Sequence, residues 1–220
     1  MIWSSLRLSL LVVSLATLAI SVFGTALGFL FAKRTFRGKD ILDAIFTLPM
    51  VLPPTVTGYY LIVLPGRRGL LGGPVYSLTG WTVTFTWAAA AIASTVVALP
   101  LMIKSARAAI ESVDIDYEIA SYIMGKSEFE TFFRITLPLA GRGILAGIVL
   151  SFARAFGEFG ATLMLAGNIP GKTQTMPLAI YEAVVSGEDQ AAKWLALILT
   201  GISVTVVYIT NRLSRPKGSR

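Results

Sequence analysis

Long apolar segments alternate with short polar ones along the chain, and five of the apolar segments have the length of a membrane span. About 20 apolar residues cross the hydrocarbon core of a bilayer. The pattern predicts spans over residues 8–32, 44–64, from near 83 to 103, from near 143 to beyond 154, and 194–210. We therefore predict an all-α integral membrane protein with about five transmembrane helices. Its length suits a single transmembrane domain over residues 1–220.

Two of the apolar segments allow a second interpretation. The first lies near the N-terminus, as a signal peptide does, but it is longer than the usual apolar region and no convincing A-x-A site follows it. We treat it as an uncleaved span. Residues 175–185 are apolar but short, and a sixth span there would move the C-terminal tail outside. For these residues we predict an interfacial or re-entrant helix.

Lysine and arginine set the predicted orientation, because cytoplasmic loops carry an excess of both. The basic loop 33–39, the cations within 104–142 and the tail 212–220 fall on one side when there are five spans. That side is predicted to be the cytoplasm, with the N-terminus outside and the C-terminus cytoplasmic. The predicted outer face carries fewer cations, among them Arg67, Arg68 and Lys172. These three either attract an anion or a binding protein, or are solvated interfacial anchors.

Composition and charge narrow the possible chemistry. Hydrophobic residues make up 55% of the chain and charged residues 14%, against about 25% charged in soluble domains. The sequence has no cysteine and no histidine, which excludes disulfides, Cys/His zinc sites and histidine acid–base catalysis. The net charge of +7 requires no nucleic acid partner, because the cations lie at the ends of apolar segments. Without a Walker-type phosphate loop or a catalytic cluster, we expect neither ATP hydrolysis nor a cofactor in this chain.

The polar segment between the third and fourth spans, about residues 106–138, is the most informative part of the chain. Asp114 and Asp116 precede an apolar-periodic stretch and suit a helix N-terminus. Gly125 then interrupts the helix, and a second apolar face with Phe133 follows before Pro138 begins the next span. We predict two short cytoplasmic helices. Two interpretations remain open from these residues alone: a loop lying on the membrane surface, and a docking surface for a soluble partner.

The spacing within this segment resembles the EAA loop of ABC importer permeases. Ile119-Ala120-Ser121 is followed after three residues by Gly125, and after nine more by Ile135-Thr136-Leu137-Pro138. The family's glutamate position holds Ile119 here, with Glu118 one residue earlier, and its second alanine is Ser121. The resemblance implies a coupling loop that sits in a cleft of an ATP-binding subunit. The residues it assigns to this loop are Glu118, Ile119, Ala120, Ser121, Gly125, Phe133, Ile135, Leu137 and Pro138.

Further stretches resemble the molybdate and tungstate permease subunits, namely residues 48–59, 66–69, 152–154, 157–162 and 167–175. Sulfate and thiosulfate permeases share much of this pattern on longer chains. The resemblance implies a homodimer of this subunit in the lipid of the inner (cytoplasmic) membrane. It also implies two cytoplasmic ATPase subunits that use ATP and Mg²⁺, and an external solute-binding protein that delivers the oxyanion. The alternatives are a permease for sulfate or another anion, and an ATPase-independent channel or membrane enzyme.

Charged and helix-breaking residues inside the spans mark a candidate translocation pathway. Arg154 and Glu158 are spaced i,i+4, which places them on one face of a helix. An ionisable group within a membrane faces a bundle interior or a wet path, so the pair is either a structural lock or part of a gate. The prolines of the second span indicate either a pathway-lining helix or a simple kink. The candidate pathway residues are Pro53, Pro54, Thr55, Arg154, Gly157, Glu158, Phe159 and Gly160.

Overall fold

The part of the chain that the structure describes consists of helices and their connections. The computed structural model describes residues 2–67 and 69–214, apart from the side chains at 210, 211, 213 and 214. Arg68 and the tail 215–220, which enter the predictions above, lie outside the described residues. The helices are α1 (Ile2–Lys33), α2 (Lys39–Val51), α3 (Pro54–Val63), α4 (Gly72–Thr79), α5 (Trp87–Glu111), α6 (Ile115–Ile123), α7 (Glu128–Thr131), a π-helical turn (Phe132–Thr136), α8 (Leu137–Phe156), α9 (Gly160–Ala166), α10 (Met176–Val185) and α11 (Asp189–Ser214).

Four continuous helical segments are long and apolar enough to cross a membrane: α1, α5, the run Glu128–Phe156 that ends with α8, and α11. The pair α2 and α3 adds a fifth if it counts as one span, although its halves meet at 118°. The prediction of an all-α membrane protein with about five spans is therefore confirmed.

Several helix limits differ from the predicted ones. The helix of the fourth span begins well before Gly143 and ends at Phe156, and α5 begins at Trp87 instead of near Val83. Hydropathy marks the apolar part of a helix, whereas capping groups fix its ends. Thr86, for example, caps α5 by accepting a hydrogen bond from the backbone of the first turn.

Helices α1, α5 and α8 form the core of the bundle. Ile20 of α1, Met102 of α5 and Ile144 of α8 are buried in one apolar cluster. Two glycines let α1 approach α5 closely. A Cβ atom on Gly24 would lie 2.5 Å from Met102, and one on Gly28 would lie 2.7 Å from Ala106 of α5. Small residues at such contacts allow the backbone approach on which helix packing in membranes depends.

The second span is broken at Pro53 and Pro54, whereas Pro49 stays inside α2. Helix α2 ends at Val51, and Pro53 takes an extended conformation before α3 begins at Pro54. The two halves have different main neighbours, because α2 packs on α5 and α3 packs chiefly on α9. Gly58 permits the second contact, since a Cβ atom there would lie 2.7 Å from Met164 of α9. The break thus divides one predicted span between two parts of the bundle.

Residues 175–185, for which the sequence predicts an interfacial or re-entrant helix, contain the short helix α10. With 10 residues, α10 is too short to cross a bilayer. Its buried side contacts α1 and α11. The backbone N–H of Met176 donates to the Ser9 hydroxyl of α1 at 2.7 Å. The helix is therefore part of the bundle and does not lie free at an interface.

Candidate coupling surface and translocation pathway

Residues 106–138, which we call the coupling loop after the family they resemble, contain the two short helices predicted from the sequence. Asp114 caps α6 by accepting from the N–H of Asp116 at 3.0 Å. Gly125 takes a left-handed conformation, with φ of 78°, which glycine adopts without strain and which turns the chain after α6. Ser127 and Glu130 form a capping box at the start of α7. Local residues thus fix where each short helix begins and where the first one ends.

The inner face of α6 is polar and is bonded to the rest of the protein. Glu118 is buried, with 4% of its side chain exposed, and Lys33 at the end of α1 contacts its Oε2 at 2.7 Å. Thr136, at the end of the π-helical turn, donates to its Oε1 at 2.6 Å. One turn further on, Ser121 is hydrogen-bonded to Thr131 at 2.8 Å. The Glu118 contacts hold α6 against the end of α1 and the residue that precedes α8, and the Ser121 contact joins α6 to α7.

The outer face of the coupling loop is apolar and exposed. Ile123 is 81% exposed and Phe129 is 72% exposed, and Ile119, Met124 and Phe133 are exposed as well. Exposed apolar side chains of this kind suit contact with a partner or with the membrane surface, the two interpretations that the sequence leaves open. Of the coupling-loop residues predicted from sequence, the structure exposes Ile119, Ala120, Gly125, Phe133 and Pro138, half-buries Ile135 and Leu137, and buries Glu118 and Ser121.

Some charged side chains of the coupling loop pair with one another, and others pair with cations at the end of α1. Glu130 lies 3.4 Å from Lys126 and 3.7 Å from Arg134. Partial burial, followed by nearby carboxylates, raises the pKa of Tyr122 on the outer face. Exposed pairs of this kind contribute little to stability, so the apolar side chains are what distinguish the surface.

The second candidate site lies at the break between α8 and α9. Arg154 Nη1 lies 2.8 Å from Glu158 Oε2, as the spacing predicts. The expectation that both residues lie on one helix is wrong, because α8 ends at Phe156. Glu158 Oε1 instead accepts the N–H of Ala161 at 2.8 Å, in the first turn of α9. Glu158 therefore joins the end of one helix to the start of the next.

Burial is unequal within this ion pair. The Glu158 side chain is 1% exposed and the Arg154 side chain is 35% exposed. Glu158 Oε2 is within ion-pair distance of the guanidinium but makes no hydrogen bond of acceptable geometry. The contact is thus mainly Coulombic, and the carboxylate depends on it more than the guanidinium does.

Helix α3 lies directly against this break. A Cβ atom on Gly160 would lie 2.9 Å from Cβ of Pro54 and 3.5 Å from the backbone nitrogen of Thr55. Gly157, the other glycine among the candidate pathway residues, is different, because a Cβ atom there would meet only a carbonyl oxygen of its own helix, at 3.7 Å. The two glycines therefore differ, and only Gly160 allows helices to approach. Phe159 packs on Tyr181 of α10 with the two rings tilted by 51° and their centroids 5.2 Å apart.

The structure thus brings together most of the predicted pathway residues. Pro54, Thr55, Glu158 and Gly160 meet where α3 contacts α9, with Arg154 beside them. Pro53 is exposed at the break of the second span.

Of the predicted outer-face cations, Arg67 lies 4.1 Å above the ring of Tyr76 in α4, a cation–π contact. Lys172 is exposed, and Arg68 is outside the described residues.

Sequence reasoning missed several supporting residues. Lys33 and Thr136 hold Glu118 from two other elements, and nothing local in the sequence indicates this. Thr162 of α9 is a buried hydroxyl without a partner among the described residues, and was not predicted as part of the site. The Ser127-x-x-Glu130 spacing, by contrast, is a capping-box signal that the sequence already contains. Within the described ranges, no group of three or more metal-ligating side chains occurs.

Known proteins resemble this chain along nearly its whole length. The molybdenum transport system permease protein ModB of Escherichia coli is 42% identical over 222 residues, covering 99% of this chain and 97% of that protein. The sulfate transport system permease protein CysW of Synechococcus elongatus is 34% identical over 214 residues, covering 97% of this chain and 74% of that protein. A bacterial alginate ABC transporter, crystallised with a periplasmic protein bound to an alginate pentasaccharide, has the same fold. Its TM-score is 0.77 at 16% identity, covering 96% of this chain and 77% of that one.

The membrane-spanning helices, the family match and these relatives together place the chain among the permeases of ABC importers. The chain belongs to the family of binding-protein-dependent transport system inner membrane components, whose model matches residues 24–219. It is therefore a multi-pass permease subunit of the inner membrane.

Proposed function

We propose that this chain is the permease subunit of an ATP-driven importer that moves molybdate, or the similar dianion tungstate, into the cytoplasm by alternating access. The choice of molybdate as the substrate rests on the 42% identity to a molybdenum permease, over nearly the full length of both chains. The observation that supports energy coupling is the apolar outer face of the coupling loop, because such a surface requires a partner.

The complex contains two copies of this subunit, two cytoplasmic ATPase subunits and an external solute-binding protein. ATP and Mg²⁺ belong to the ATPase subunits, which carry out the hydrolysis. Residues 1–220 form one transmembrane domain, with the N-terminus outside and the coupling loop and C-terminus in the cytoplasm. The basic residues of 33–39, next to the coupling loop, support this orientation.

The translocation pathway passes the break between α8 and α9. The exposed third of Arg154 presents positive potential to a passing dianion, and the buried Glu158 keeps that cation in place and limits how tightly the anion binds. Helix α3, the second half of the broken span, lines the same region through Pro54 and Thr55. On the outer side of the membrane, Arg67 and Lys172 attract the anion or acidic residues of the binding protein.

Sulfate import is the second candidate function, favoured by the 34% identity to a sulfate permease. Molybdate, tungstate and sulfate are all tetrahedral dianions, so the substrate is decided by measurement. The permease is reconstituted in liposomes with its ATPase and binding protein, and uptake of radiolabelled molybdate and sulfate is followed with and without ATP. We expect ATP-dependent molybdate uptake that excess unlabelled sulfate does not suppress. Uptake of sulfate alone would establish the second candidate, and uptake without ATP would contradict both.

A further inference from the structure

One buried carboxylate joins the coupling loop to two different membrane helices. Glu118 Oε2 contacts Lys33 Nζ at 2.7 Å, and Lys33 is the last residue of α1. Glu118 Oε1 accepts from Thr136 at 2.6 Å, and Thr136 immediately precedes α8. Each oxygen thus has its own partner, and each partner belongs to a different element. We call this arrangement the Lys33–Glu118–Thr136 clamp.

The clamp differs from the ion pair beside it. Arg34 and Glu128 also connect the end of α1 to the coupling loop, but their side chains are about half exposed, and exposed pairs restrain little. Glu118 is buried, so losing one partner would leave its charge poorly compensated. The clamp therefore has a strongly preferred geometry, and α6 cannot shift freely against α1 and α8.

The segment that carries Thr136 has an unusual backbone. Residues Phe132–Thr136 form a π-helical turn between α7 and α8, and π-helical turns occur frequently at functional sites. Phe132 of this turn packs edgewise on Phe29 of α1, with ring centroids 4.6 Å apart. From the turn, α8 runs 20 residues, about 30 Å at 1.5 Å per residue, to the break that contains Glu158. A displacement at Thr136 therefore reaches the candidate gate along a single helix.

We propose that Glu118 is a positioning residue that transmits movement of the docked coupling loop to α1 and α8 through the clamp, and that it does not bind the ATPase. This rests on the proposed function, because it takes the exposed outer face of α6 as the ATPase contact. The orientation of α6 supports it: Ile119 and Ile123 point outward, and Glu118 points inward.

The test uses the complete complex of permease, ATPase and binding protein in liposomes. Thr136→Val removes the hydroxyl at nearly constant volume, Thr136→Ser keeps it, and Arg34→Met breaks the neighbouring exposed pair as a matched control. The readout is molybdate transported per ATP hydrolysed. We expect Thr136→Val to assemble and hydrolyse ATP but to lower this ratio about fivefold or more, the lower end of usual coupling between sites. We expect Thr136→Ser and Arg34→Met to keep the wild-type ratio.

A merely structural clamp would change assembly and leave the ratio unchanged. Assembled Thr136→Val complexes with the wild-type ratio overturn the proposal, and so does failure of both Thr136 variants to assemble. If the wild-type complex moves no molybdate, the proposed function fails, and the clamp is judged by a distance instead. Spin labels at the exposed positions Asp116 and Leu139 report the separation of α6 from α8. If the distribution of distances between the two labels is broader in Thr136→Val than in the wild type, the clamp is supported. An unchanged distribution overturns it.

Discussion

Neutralising either member of the Arg154–Glu158 pair should have unequal effects. Arg154→Gln leaves a carboxylate that is 1% exposed without its counter-charge. Glu158→Gln leaves a guanidinium whose side chain is 35% exposed, and the new amide oxygen still accepts the N–H of Ala161. The structure therefore predicts that the arginine variant is the more damaging, although the same ion pair is lost in both.

The size of the difference follows from burial. Removing one partner of a buried ion pair typically costs about 3–5 kcal/mol, because the remaining charge is uncompensated. That range applies to Arg154→Gln. Exposed pairs are worth about 1 kcal/mol or less, and Glu158→Gln should cost near that amount if the exposed part of Arg154 reaches water. The double variant leaves no buried charge and should recover most of the stability lost in Arg154→Gln.

These differences in stability are measured by heating the purified complex and monitoring its unfolding by size-exclusion chromatography. Arg142→Gln is the matched control, because Arg142 is exposed on the same helix and its replacement should cost less than about 0.5 kcal/mol. Equal losses in the two single variants would refute the reasoning, since they would show that the exposed part of Arg154 does not reach water. Molybdate uptake by the assembled double variant then separates the two possible roles of the pair. Normal uptake indicates a purely structural ion pair, and failed uptake supports a role of Arg154 in the translocation pathway.

The other predictions concern packing, coupling and topology. Gly160→Ala should destabilise the complex by about 1–3 kcal/mol through overpacking against α3. Gly157→Ala, whose new methyl group would make only one ordinary van der Waals contact, should leave the melting temperature unchanged, and equal shifts would contradict the packing. Gly125→Asp should abolish the stimulation of ATP hydrolysis by loaded binding protein with membrane insertion intact, and wild-type stimulation would remove this turn from the docking surface. A membrane-impermeant thiol reagent should label Lys172→Cys in intact cells and spare Arg37→Cys, and the opposite result would invert the topology.

Much of the fold is predictable because its determinants are local. A run of apolar residues has to cross the bilayer as a helix. The adjacent prolines Pro53 and Pro54 interrupt such a helix, although single prolines at 49 and 100 stay inside helices. The same applies to the coupling loop, where Asp114 starts α6 and Gly125 follows its end. These features depend on side-chain polarity and backbone freedom within a few neighbouring residues. A single sequence contains that information.

The contacts that define the candidate sites are not local. Lys33 is 85 residues from Glu118 in the chain, and nothing in the spacing of either indicates that they meet. The i,i+4 spacing of Arg154 and Glu158 predicts their contact but not its setting, because it gives no sign that α8 ends at Phe156. Tertiary packing, here the approach of α3 to the start of α9, decides both where a helix stops and what its terminal residues contact.

The orientation of α6 is the reverse of what a free loop in water would adopt. Its carboxylate at Glu118 is buried, and Ile119 and Ile123 are exposed, although solvation favours the opposite arrangement. The inner half of this arrangement is stable because Lys33 and Thr136 satisfy the carboxylate. The outer half is stable only when another surface covers it, and the described residues supply no such cover. In the proposed function the ATPase subunit covers this apolar face, and the clamp that buries Glu118 keeps the face turned towards it.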